Sequence, residues 1–319
     1  MPCAQTALSP LRDVMPLAFD EPMAVHTTFG IGGPADVWAA PRSEDELMQL
    51  LAVARREGVP VLVVGRGSNL LVSDKGIRGL VIHVGDNLAD VAKGSDTRLR
   101  AGAGLSLARL AQYAKQESLA GLAFAHGIPG TLGGAIRMNA GAYGGEMRQV
   151  VASTRCWDGE NVREITGEQH EFSYRHSVFT CCPSWVILSA DIALVAGSRA
   201  DIEADMAAYA RSRRHTQPLE WPSAGSIFKR PPDAFAGTTI DACGLKGFQI
   251  GGARVSDKHA GFIVNQGGAT AADVDALIRH IQRVVFERNG IRLETELLYV
   301  GEWDEPRDKT NLSMSKFLG

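Results

Sequence analysis

Gly65-Arg66-Gly67-Ser68-Asn69-Leu70 directly follows the apolar run PVLVV at residues 60–64, which predicts a short buried strand. The six residues begin like the GxGxxG fingerprint of a Rossmann dinucleotide site, but Leu70 stands where the third glycine is needed. The next predicted element is a strand at residues 80–84 and not the helix that the fingerprint requires. The sequence therefore argues against a Rossmann fold. It leaves either a tight surface turn or a loop whose backbone N–H groups converge on an anion.

A second glycine-rich segment favours the anion-binding interpretation. Residues 127–135, GIPGTLGGA, lead into residues 138–145, MNAGAYGG, and the two stretches contain seven glycines. Because they carry little side-chain bulk, a flat ligand can lie close to their backbone, with Thr131 and Asn139 available for hydrogen bonds. Close packing of a helix on a sheet is the alternative explanation for these glycines. A third loop at residues 27–36, TTFGIGGPAD, would add another edge, and three loops favour a large cofactor with a pyrophosphate over a single phosphate.

Composition narrows the class of protein and its partners. The chain has 319 residues, 45% hydrophobic and 22% charged, as in a soluble globular enzyme of two or three domains. The net charge of -3 gives no bulk field for nucleic acid or an anionic membrane, so an anionic substrate must be met by local cations. No stretch approaches the ~20 apolar residues that span a bilayer, and no secretory signal is recognisable. Five cysteines without a CxxC pair and eight scattered histidines indicate reduced thiols, a cytoplasmic location and no metal site.

Helix and strand signals divide the chain into domains. Thr270 and Asp273 form a capping box before an amphipathic helix that Gly290 ends, and Gln217-Pro218 marks a domain boundary. The other predicted elements include antiparallel strands within 151–195, a helix at 200–214 and a strand at 292–300. The predicted organisation is a leader at 1–20, a cofactor domain at 21–215 with subdomains at about 21–90 and 91–215, a C-terminal domain at 216–302 and a polar tail at 303–319.

Three short motifs lie outside the glycine loops. They read Tyr174-Arg175-His176-Ser177, Gly225-Ser226-Ile227-Phe228-Lys229 and Leu293-Glu294-Thr295-Glu296. An arginine suits the recognition of a carboxylate or an enolate, because its planar fork binds two oxygens and stays charged. Together with the three glycine loops, these motifs resemble those of the UDP-N-acetylenolpyruvoylglucosamine reductase family, within the vanillyl-alcohol-oxidase-type FAD-binding superfamily. The resemblance runs from about residue 26 to residue 300.

The resemblance implies a fold, a reaction and its cofactors. The fold class is α+β, with an FAD-binding domain of two α/β subdomains, which is not a Rossmann fold, and a C-terminal α+β domain that binds the UDP-sugar. The reaction is the reduction of UDP-N-acetylglucosamine enolpyruvate to UDP-N-acetylmuramate for peptidoglycan synthesis. NADPH reduces non-covalently bound FAD, which then passes a hydride to C3 of the enolpyruvyl group. We expect a monomer that acts on this small molecule and has no nucleic-acid or membrane partner.

The resemblance also assigns roles to residues. Ser226 is the proton donor to C2, and Arg175 and Glu296 stabilise the enol-like intermediate. Strand alternation places Glu294 and Glu296 on the same face, so the choice of Glu296 rests on the resemblance alone. The expected FAD-binding residues are Gly65, Arg66, Gly67, Ser68, Asn69, Leu70, Pro129, Gly130, Thr131, Gly133, Gly134, Asn139, Ala140 and Gly141. The expected substrate-binding residues are Lys229, Arg230, Lys246, Lys258 and Asn265.

Two other functions remain open at this point. A flavin oxidase of the same superfamily would pass electrons to oxygen, although the glycine loops contain no histidine motif for covalent FAD attachment. A non-catalytic nucleotide-sugar sensor has no need of a proton donor, and the presence of Ser226 argues against it. His259 is a candidate general base, but the family motif does not need it. The short spacing from Phe179 to Gly225 matches the form of the family that lacks a tyrosine-bearing loop, which leaves open what closes over the substrate.

Overall fold

A computed structural model describes residues 4–12 and 15–304 of the chain. The helices of these ranges are α1 (Ala4–Leu8), α2 (Glu44–Arg56), α3 (Leu107–Gln116), α4 (Leu132–Arg137), α5 (Val178–Cys181), α6 (Arg199–Thr216), α7 (Ala236–Ala242) and α8 (Ala271–Asn289). The strands are β1 (Leu17–Pro22), β2 (Pro34–Ala39), β3 (Val61–Val64), β4 (Leu70–Val72), β5 (Ile77–His83), β6 (Val91–Lys93), β7 (Arg98–Gly102), β8 (Leu119–Ala120), β9 (Gly141–Ala142), β10 (Gly145–Glu146), β11 (Val151–Trp157), β12 (Val162–Thr166), β13 (Val186–Ala193), β14 (Val195–Ala196), β15 (Ser223–Ser226), β16 (Gln249–Ile250), β17 (Ala253–Val255), β18 (Phe262–Asn265) and β19 (Leu298–Val300). None of the described helices has the length and apolar character needed to cross a membrane. The polar tail predicted at 303–319 lies outside the described residues, apart from its first two.

The first sheet has the strand order β1-β2-β5-β3, in which β2, β5 and β3 are parallel and β1 is antiparallel to β2. Its central strand β5 is buried because apolar groups cover both faces. Leu80 and Ile82 join the buried stripe of α2 in one apolar cluster, whereas Ile77 and Val81 belong to a second cluster. The loop at residues 65–70 follows β3, so this sheet fixes its position.

The first sheet and helix α2 form a unit that we call the first unit, and the segment predicted as a leader is part of it. Strand β1 pairs along its length with β2, and Leu8 of α1 is fully buried in the same apolar cluster as α2. The described part of residues 1–20 therefore contributes to the hydrophobic core, a role that the sequence pattern did not predict.

The second sheet is antiparallel, with the order β12-β11-β13-β7-β6. Strand β13 shows the predicted alternation, since Ala190 and Ile192 are buried while Ser189 and Asp191 are more exposed. Helix α6 matches the helix predicted at 200–214 and ends just before the predicted boundary. Residues 173–181 were expected among the strands, but they form a tight turn and the short helix α5. This turn carries part of the site described below.

The C-terminal unit consists of the antiparallel sheet β15-β18-β17-β16 with α7 and α8. Thr270 and Asp273 form the predicted capping box at the start of α8, and Gly290 ends the helix with a φ of 68°. Helix α8 buries the predicted apolar stripe, which includes Val274 and Leu277. Local signals were sufficient to predict this helix.

The strand predicted at 292–300 is shorter than expected. Only β19 is regular, and it pairs in parallel with β4 of the first unit rather than within the C-terminal sheet. The carbonyl oxygen of Ile227 accepts the N–H groups of both Glu296 (2.8 Å) and Leu297 (3.4 Å). A regular ladder pairs its N–H and C=O groups one to one, so this shared acceptor interrupts the strand. These two hydrogen bonds place the Leu293–Glu296 motif directly beside the Gly225–Lys229 motif.

Several contacts join the C-terminal unit to the first unit. The carboxylate of Asp74 accepts the N–H groups of Ala271 and Ala272, at 2.8 and 2.9 Å, at the start of α8. The side-chain amide of Asn69 donates to the Glu296 carbonyl at 3.0 Å. A cavity lies at this junction.

Candidate active site

The cavity has a volume of about 760 Å³. This volume is within the range of roughly 300–1,000 Å³ that is usual for cofactor and small-molecule sites. The cavity is lined by residues 65–70 after β3 and by residues 128–131, 134–135 and 140–142 around α4 and β9. On the other side it is lined by residues 224–226, 235–238 and 258–260 of the C-terminal unit. Two of the three predicted glycine loops therefore face the motif that contains Ser226.

The two glycine loops meet edge to edge in the cavity wall. Gly65 leaves no room for a side chain, since a Cβ atom would lie 2.3 Å from the hydroxyl oxygen of Thr131. Gly67 has a φ of 59°, and a Cβ atom there would lie 2.4 Å from a backbone carbonyl oxygen. The hydroxyl of Ser68 donates to the Pro129 carbonyl at 2.8 Å. Glycine at these positions lets the loops present backbone rather than side chains to a ligand.

Arg175 and Glu296 form an ion pair in the cavity wall. The Nε of Arg175 donates to Oε1 of Glu296 at 2.6 Å. Arg175 lies in the turn from Ser173 to His176 with a φ of 56°, which non-glycine residues seldom adopt. Such a conformation costs roughly 1–3 kcal/mol, persists only where the surroundings enforce it and is concentrated at functional sites. The ion pair with Glu296 is part of the surroundings that hold the Arg175 guanidinium in the cavity wall.

The structure distinguishes the two acids that strand alternation left equivalent. The side chain of Glu296 is 15% exposed and lines the cavity, whereas that of Glu294 is 75% exposed and pairs with Lys229 at 3.4 Å. Burial raises the pKa of Glu296, and the positive charges of Arg175 and Lys229 oppose this rise. Lys229 itself, a predicted substrate-binding residue, does not line the cavity.

Ser226 is the last residue of β15 and lines the same cavity. It lies opposite Phe262 of β18, which fixes its position on the sheet. The carbonyl of the next residue, Ile227, accepts the N–H of Glu296, and this hydrogen bond holds the backbone of Glu296 beside that of Ser226. The fold thus brings Arg175, Ser226 and Glu296 from three distant motifs to one cavity.

Three of the predicted cationic residues also line the cavity. Lys246 pairs with Asp241 at 2.7 Å, and the Nζ of Lys258 donates to a backbone carbonyl of α6 at 2.7 Å. The guanidinium of Arg230 lies 4.4 Å from the ring centre of Phe235, in a cation–π contact. These residues place three cationic groups on the C-terminal side of the cavity, where Asp241 partly compensates Lys246 and Glu220 lies 3.8 Å from Lys258.

Two asparagines predicted to contact ligands serve the fold instead. Asn265 is buried, and its amide donates to the Phe29 carbonyl while its oxygen accepts the N–H groups of Gly267 and Ala269. Asn139 is fully buried, and both ends of its amide are bonded to neighbouring loop residues. The polar ends of these side chains are already used and neither residue lines the cavity, so neither side chain offers a free polar group for the expected ligand contact.

Gly133 and the third glycine loop are likewise outside the cavity lining. Gly133 donates its N–H to the Ala103 carbonyl at 2.9 Å, and its lack of a side chain lets α4 approach that strand end. In the loop at 27–36, a Cβ atom on Gly33 would lie 2.2 Å from the carbonyl oxygen of Asp74. The cavity therefore gives no support to the expectation that this loop forms a third edge of the cofactor site, and close packing explains Gly33 and Gly133.

Three residues of the lining have polar groups without a protein partner and were missed in the sequence. Burial lowers the pKa of Arg137 and of Arg213, and neither arginine has a carboxylate partner within residues 4–12 and 15–304. The side-chain oxygen of Gln217 is buried without a hydrogen-bond partner. Arg213 is one of three arginines near the end of a predicted helix, and Arg137 stands between the two glycine stretches, so no spacing distinguishes either.

These observations fit a cofactor that carries a pyrophosphate, as FAD does. Arg137 and Arg213 are half-buried, and a half-buried cation without a counter-ion is stabilised by a ligand that supplies negative charge. Within residues 4–12 and 15–304 neither guanidinium has a carboxylate partner, and together with the loop at residues 65–70 they are the groups suited to hold such a ligand.

Two protein-family models match the chain. A model of an FAD binding domain matches residues 35–163, and a model of the C-terminal domain of UDP-N-acetylenolpyruvoylglucosamine reductase matches residues 217–300. The second match begins at the boundary that Gln217-Pro218 predicted.

Relatives of known name match nearly the whole chain. The UDP-N-acetylenolpyruvoylglucosamine reductase of Caldanaerobacter subterraneus subsp. tengcongensis is 46% identical over 303 residues, covering 94% of this chain and 99% of the relative. The enzyme of the same name from Clostridioides difficile is 45% identical over 284 residues, covering 89% of this chain and 93% of the relative.

A solved structure agrees with these relatives. The crystal structure of UDP-N-acetylenolpyruvylglucosamine reductase from Thermus caldophilus has a TM-score of 0.76 to this chain at 34% identity, covering 90% of this chain and 98% of that chain. The fold class expected from the sequence, an FAD-binding domain followed by an α+β C-terminal domain, is confirmed. The chain belongs to the UDP-N-acetylenolpyruvoylglucosamine reductase family.

Proposed function

We propose that the chain catalyses the NADPH-dependent reduction, via FAD, of UDP-N-acetylglucosamine enolpyruvate to UDP-N-acetylmuramate in peptidoglycan synthesis. Relatives that cover nearly the whole chain carry the name of this reductase. The observation that carries the proposal is that Arg175, Ser226 and Glu296 line one cavity between an FAD-binding domain and the family's C-terminal domain. Reduction of an enolpyruvyl ether requires a proton donor and a cation that stabilises enolate-like charge. Ser226 and Arg175 are of these types, and Glu296 orients Arg175.

The proposed mechanism assigns one task to each of the three residues. FAD, when bound, supplies the hydride that adds to C3 of the enolpyruvyl group. The Ser226 hydroxyl then donates a proton to C2, which a weak acid can do because hydride addition makes that carbon strongly basic. Arg175 stabilises the negative charge that develops on the carboxyl side of the substrate. Glu296 holds the Arg175 guanidinium in place and, in its protonated form, donates a hydrogen bond to the same charge. Their pair is only 21% and 15% exposed, so its electrostatic effect is stronger than it would be in water.

We assign the ligands to opposite sides of the cavity. Residues 21–215 form the FAD-binding domain, whose loops at 65–70 and 128–131 hold the cofactor, with the Arg137 and Arg213 charges available for phosphate groups. Residues 216–302 form the domain that binds the UDP-sugar, and the positive charge of Arg230, Lys246 and Lys258 neutralises its diphosphate. The lining of the cavity supports this division.

The proposal includes a monomer that works in the cytoplasm. All the groups named above come from one chain, so no second copy is needed to complete the site. The four cysteines of the described ranges are free thiols, which suits a reducing compartment. Analytical ultracentrifugation of the FAD-loaded protein tests the oligomeric state, and a stable dimer would contradict the proposal.

The activity is tested with purified, FAD-loaded protein. We expect NADPH oxidation to depend on the enolpyruvyl UDP-sugar, with UDP-N-acetylmuramate identified by mass spectrometry and oxygen consumed much more slowly. The control is the same mixture without the sugar nucleotide. Rapid production of hydrogen peroxide that the UDP-sugar does not change would instead support the flavin-oxidase alternative.

A further inference from the structure

His259 lines the cavity on the C-terminal side, and the mechanism above gives it no task. It lies in the turn between β17 and β18, next to Lys258 and three residues before Phe262. The sequence suggested it as a general base. The hydrogen bonds around the ring determine whether it has a free basic nitrogen.

One ring nitrogen of His259 is already used inside the turn. The backbone N–H of Gly261 donates to Nδ1 at 3.1 Å, so Nδ1 acts as an acceptor and carries no proton. In the neutral ring the proton is then on Nε2. Burial lowers the pKa of His259, a backbone hydrogen bond opposes this shift and the nearby charge of Lys246 adds to it; the net lowering favours the neutral ring. His259 is therefore a fixed N–H donor and has no free lone pair for general-base catalysis.

The packing around the ring fixes the direction of this donor. Gly237 and Gly261 lie against the ring, because a Cβ atom on either would lie 2.9 Å from Cε1 of His259. Phe262 contacts the ring edge-to-face, with 5.0 Å between ring centres. The Ser256 hydroxyl oxygen accepts the N–H of His259 at 3.3 Å, which holds the backbone of the turn. Within residues 4–12 and 15–304, Nε2 has no hydrogen-bond partner.

The surroundings of the ring indicate the kind of ligand that Nε2 meets. Lys246 and Lys258 line the same side of the cavity, and Ser226 Oγ lies 3.4 Å from the position that a Cβ atom on Gly261 would take. The donor, the proposed proton donor and the two lysines thus line the same cavity. An uncharged N–H beside cations adds a directed hydrogen bond to an anion without adding further positive charge.

We propose that the Nε2–H of neutral His259 donates a hydrogen bond to a phosphate oxygen of the nucleotide substrate's diphosphate. This inference rests on the proposed function, in which the UDP-sugar binds on the C-terminal side of the cavity and NADPH is a second nucleotide diphosphate that the protein uses. His259 is a substrate-binding residue in this assignment and takes no part in proton transfer.

The experiment uses two substitutions that separate the nitrogens of the ring. His259→Asn keeps an acceptor near the position of Nδ1 for the Gly261 N–H but removes the donor at the Nε2 position. His259→Gln places an amide N–H near the position of Nε2. Calorimetric titration of each FAD-loaded variant with UDP, uridine and NADP⁺ measures affinity without turnover. Thermal unfolding and the flavin spectrum report whether the fold and cofactor site are intact.

We expect His259→Asn to bind UDP roughly 10- to 100-fold more weakly, which is the usual contribution of a hydrogen bond to a charged group. Uridine, which has no phosphate, should bind the variant as it binds the wild-type protein, and His259→Gln should retain most of the affinity for UDP. A matching loss for NADP⁺ would show that both diphosphates use this donor, and its absence would assign the donor to the UDP-sugar.

Several results would overturn the inference. One is equal weakening of UDP and uridine, and another is wild-type affinity for UDP in His259→Asn. If His259→Asn does not fold, ¹⁵N NMR of the wild-type imidazole decides: the Nε2–H signal must shift with UDP and stay unchanged with uridine. Wild-type protein that binds UDP through His259 but does not reduce the enolpyruvyl substrate would refute the proposed function and leave this inference standing.

Discussion

The carboxyl group of Glu296 illustrates how single residues in this site depend on their partners. Burial favours its neutral form, while the guanidinium of Arg175, bonded to it at 2.6 Å, favours the ionised form. Removal of one member of a buried ion pair leaves the other charge without compensation. The two residues therefore act as one electrostatic unit, and a change at either alters both.

We expect Arg175→Met to raise the pKa of Glu296 further, because burial is retained while the nearest positive charge is lost. Carboxyl ¹³C NMR titration measures this pKa, and the Glu296→Gln variant assigns the signal. Arg109→Met is the control, since Arg109 pairs with the exposed Asp86 outside the cavity and should leave the titration of Glu296 unchanged. An unchanged or lower pKa in Arg175→Met would show that the ion pair does not control this carboxyl group.

Ser226→Ala should separate the two half-reactions. NADPH should still reduce the flavin at a near-normal rate, because that step needs no acid at the substrate carbon. Reoxidation by the enolpyruvyl substrate should slow by roughly 10²–10⁴-fold, the usual effect of losing a positioned proton donor. Stopped-flow absorbance of the flavin resolves both phases on one sample.

The matched control for this experiment is Ser223→Ala. Ser223 begins the same strand but does not line the cavity, so both phases should be unchanged. Unchanged substrate-driven reoxidation in Ser226→Ala would mean that Ser226 is only a structural residue of β15.

At the residue level, motifs that fix both residue type and position predicted three residues that share the cavity, Arg175, Ser226 and Glu296. The sequence did not show that the amides of Asn265 and Asn139 are already bonded to other protein groups, some of them distant along the chain.

At the level of elements, the start of α8 is fixed both by a local cap and by a cap from a distant part of the chain. Its N-terminus is capped from within by Thr270 and Asp273, which the sequence predicted. It is also capped from the first unit by Asp74, whose carboxylate accepts the N–H groups of Ala271 and Ala272. A carboxylate at a helix N-terminus also interacts favourably with the helix dipole. The second cap was not predictable, since the residues are 197 and 198 positions apart.

Asp74→Ala should lower the free energy of unfolding by about 1–2 kcal/mol, as is usual for the loss of an N-terminal cap. The remaining Thr270 cap should keep the helix formed, so the effect falls on the attachment of the C-terminal unit. Urea denaturation followed by circular dichroism measures it. Asp86→Ala, which removes an exposed carboxylate, is the control and should be neutral within about 0.5 kcal/mol. A neutral Asp74→Ala would show that the long-range cap adds nothing to the local one.

Elements whose signals are local were predicted well, and those that depend on a distant partner were not. Helix α8 carries its own periodicity and end signals, helix α6 was predicted from its content of Ala and Arg, and both appear where expected. The alternation at 292–300 predicted one long strand, but β19 finds its partner in β4, while the preceding residues share the carbonyl of Ile227. The length of a strand depends on which segment of the protein pairs with it, and the alternation of residues does not identify that segment.

For the molecule as a whole, the sequence predicted a boundary at Gln217-Pro218 with all the glycine loops before it, and the family model for the C-terminal domain begins at residue 217. The cavity wall was predictable only in part. Arg137 and Arg213 reach it from α4 and α6, which the fold brings together although neither helix carries a signal for the other. The part of the leader that packs in the core was also missed, because five residues of helix are too few for a recognisable period.

The position of the cavity between the two units leads to a prediction for the whole chain. A ligand that contacts both units and binds only the folded state raises the free energy of unfolding by RT ln(1 + [L]/Kd), which is about 2.7 kcal/mol at a ligand concentration of 100 times Kd. We expect the purified protein to be yellow, to release intact FAD on denaturation, and to unfold at a temperature that rises with added FAD when cofactor-free protein is reconstituted. FMN should raise this temperature much less at equal concentration, because it lacks the pyrophosphate and the adenosine that the glycine loops and the two unpaired arginines are suited to bind. Differential scanning calorimetry over a concentration series of each flavin measures both effects, with riboflavin as the phosphate-free control. Equal stabilisation by FMN and FAD would show that these loops do not bind a pyrophosphate, and a colourless protein that FAD cannot reconstitute would remove the basis of the proposed reaction.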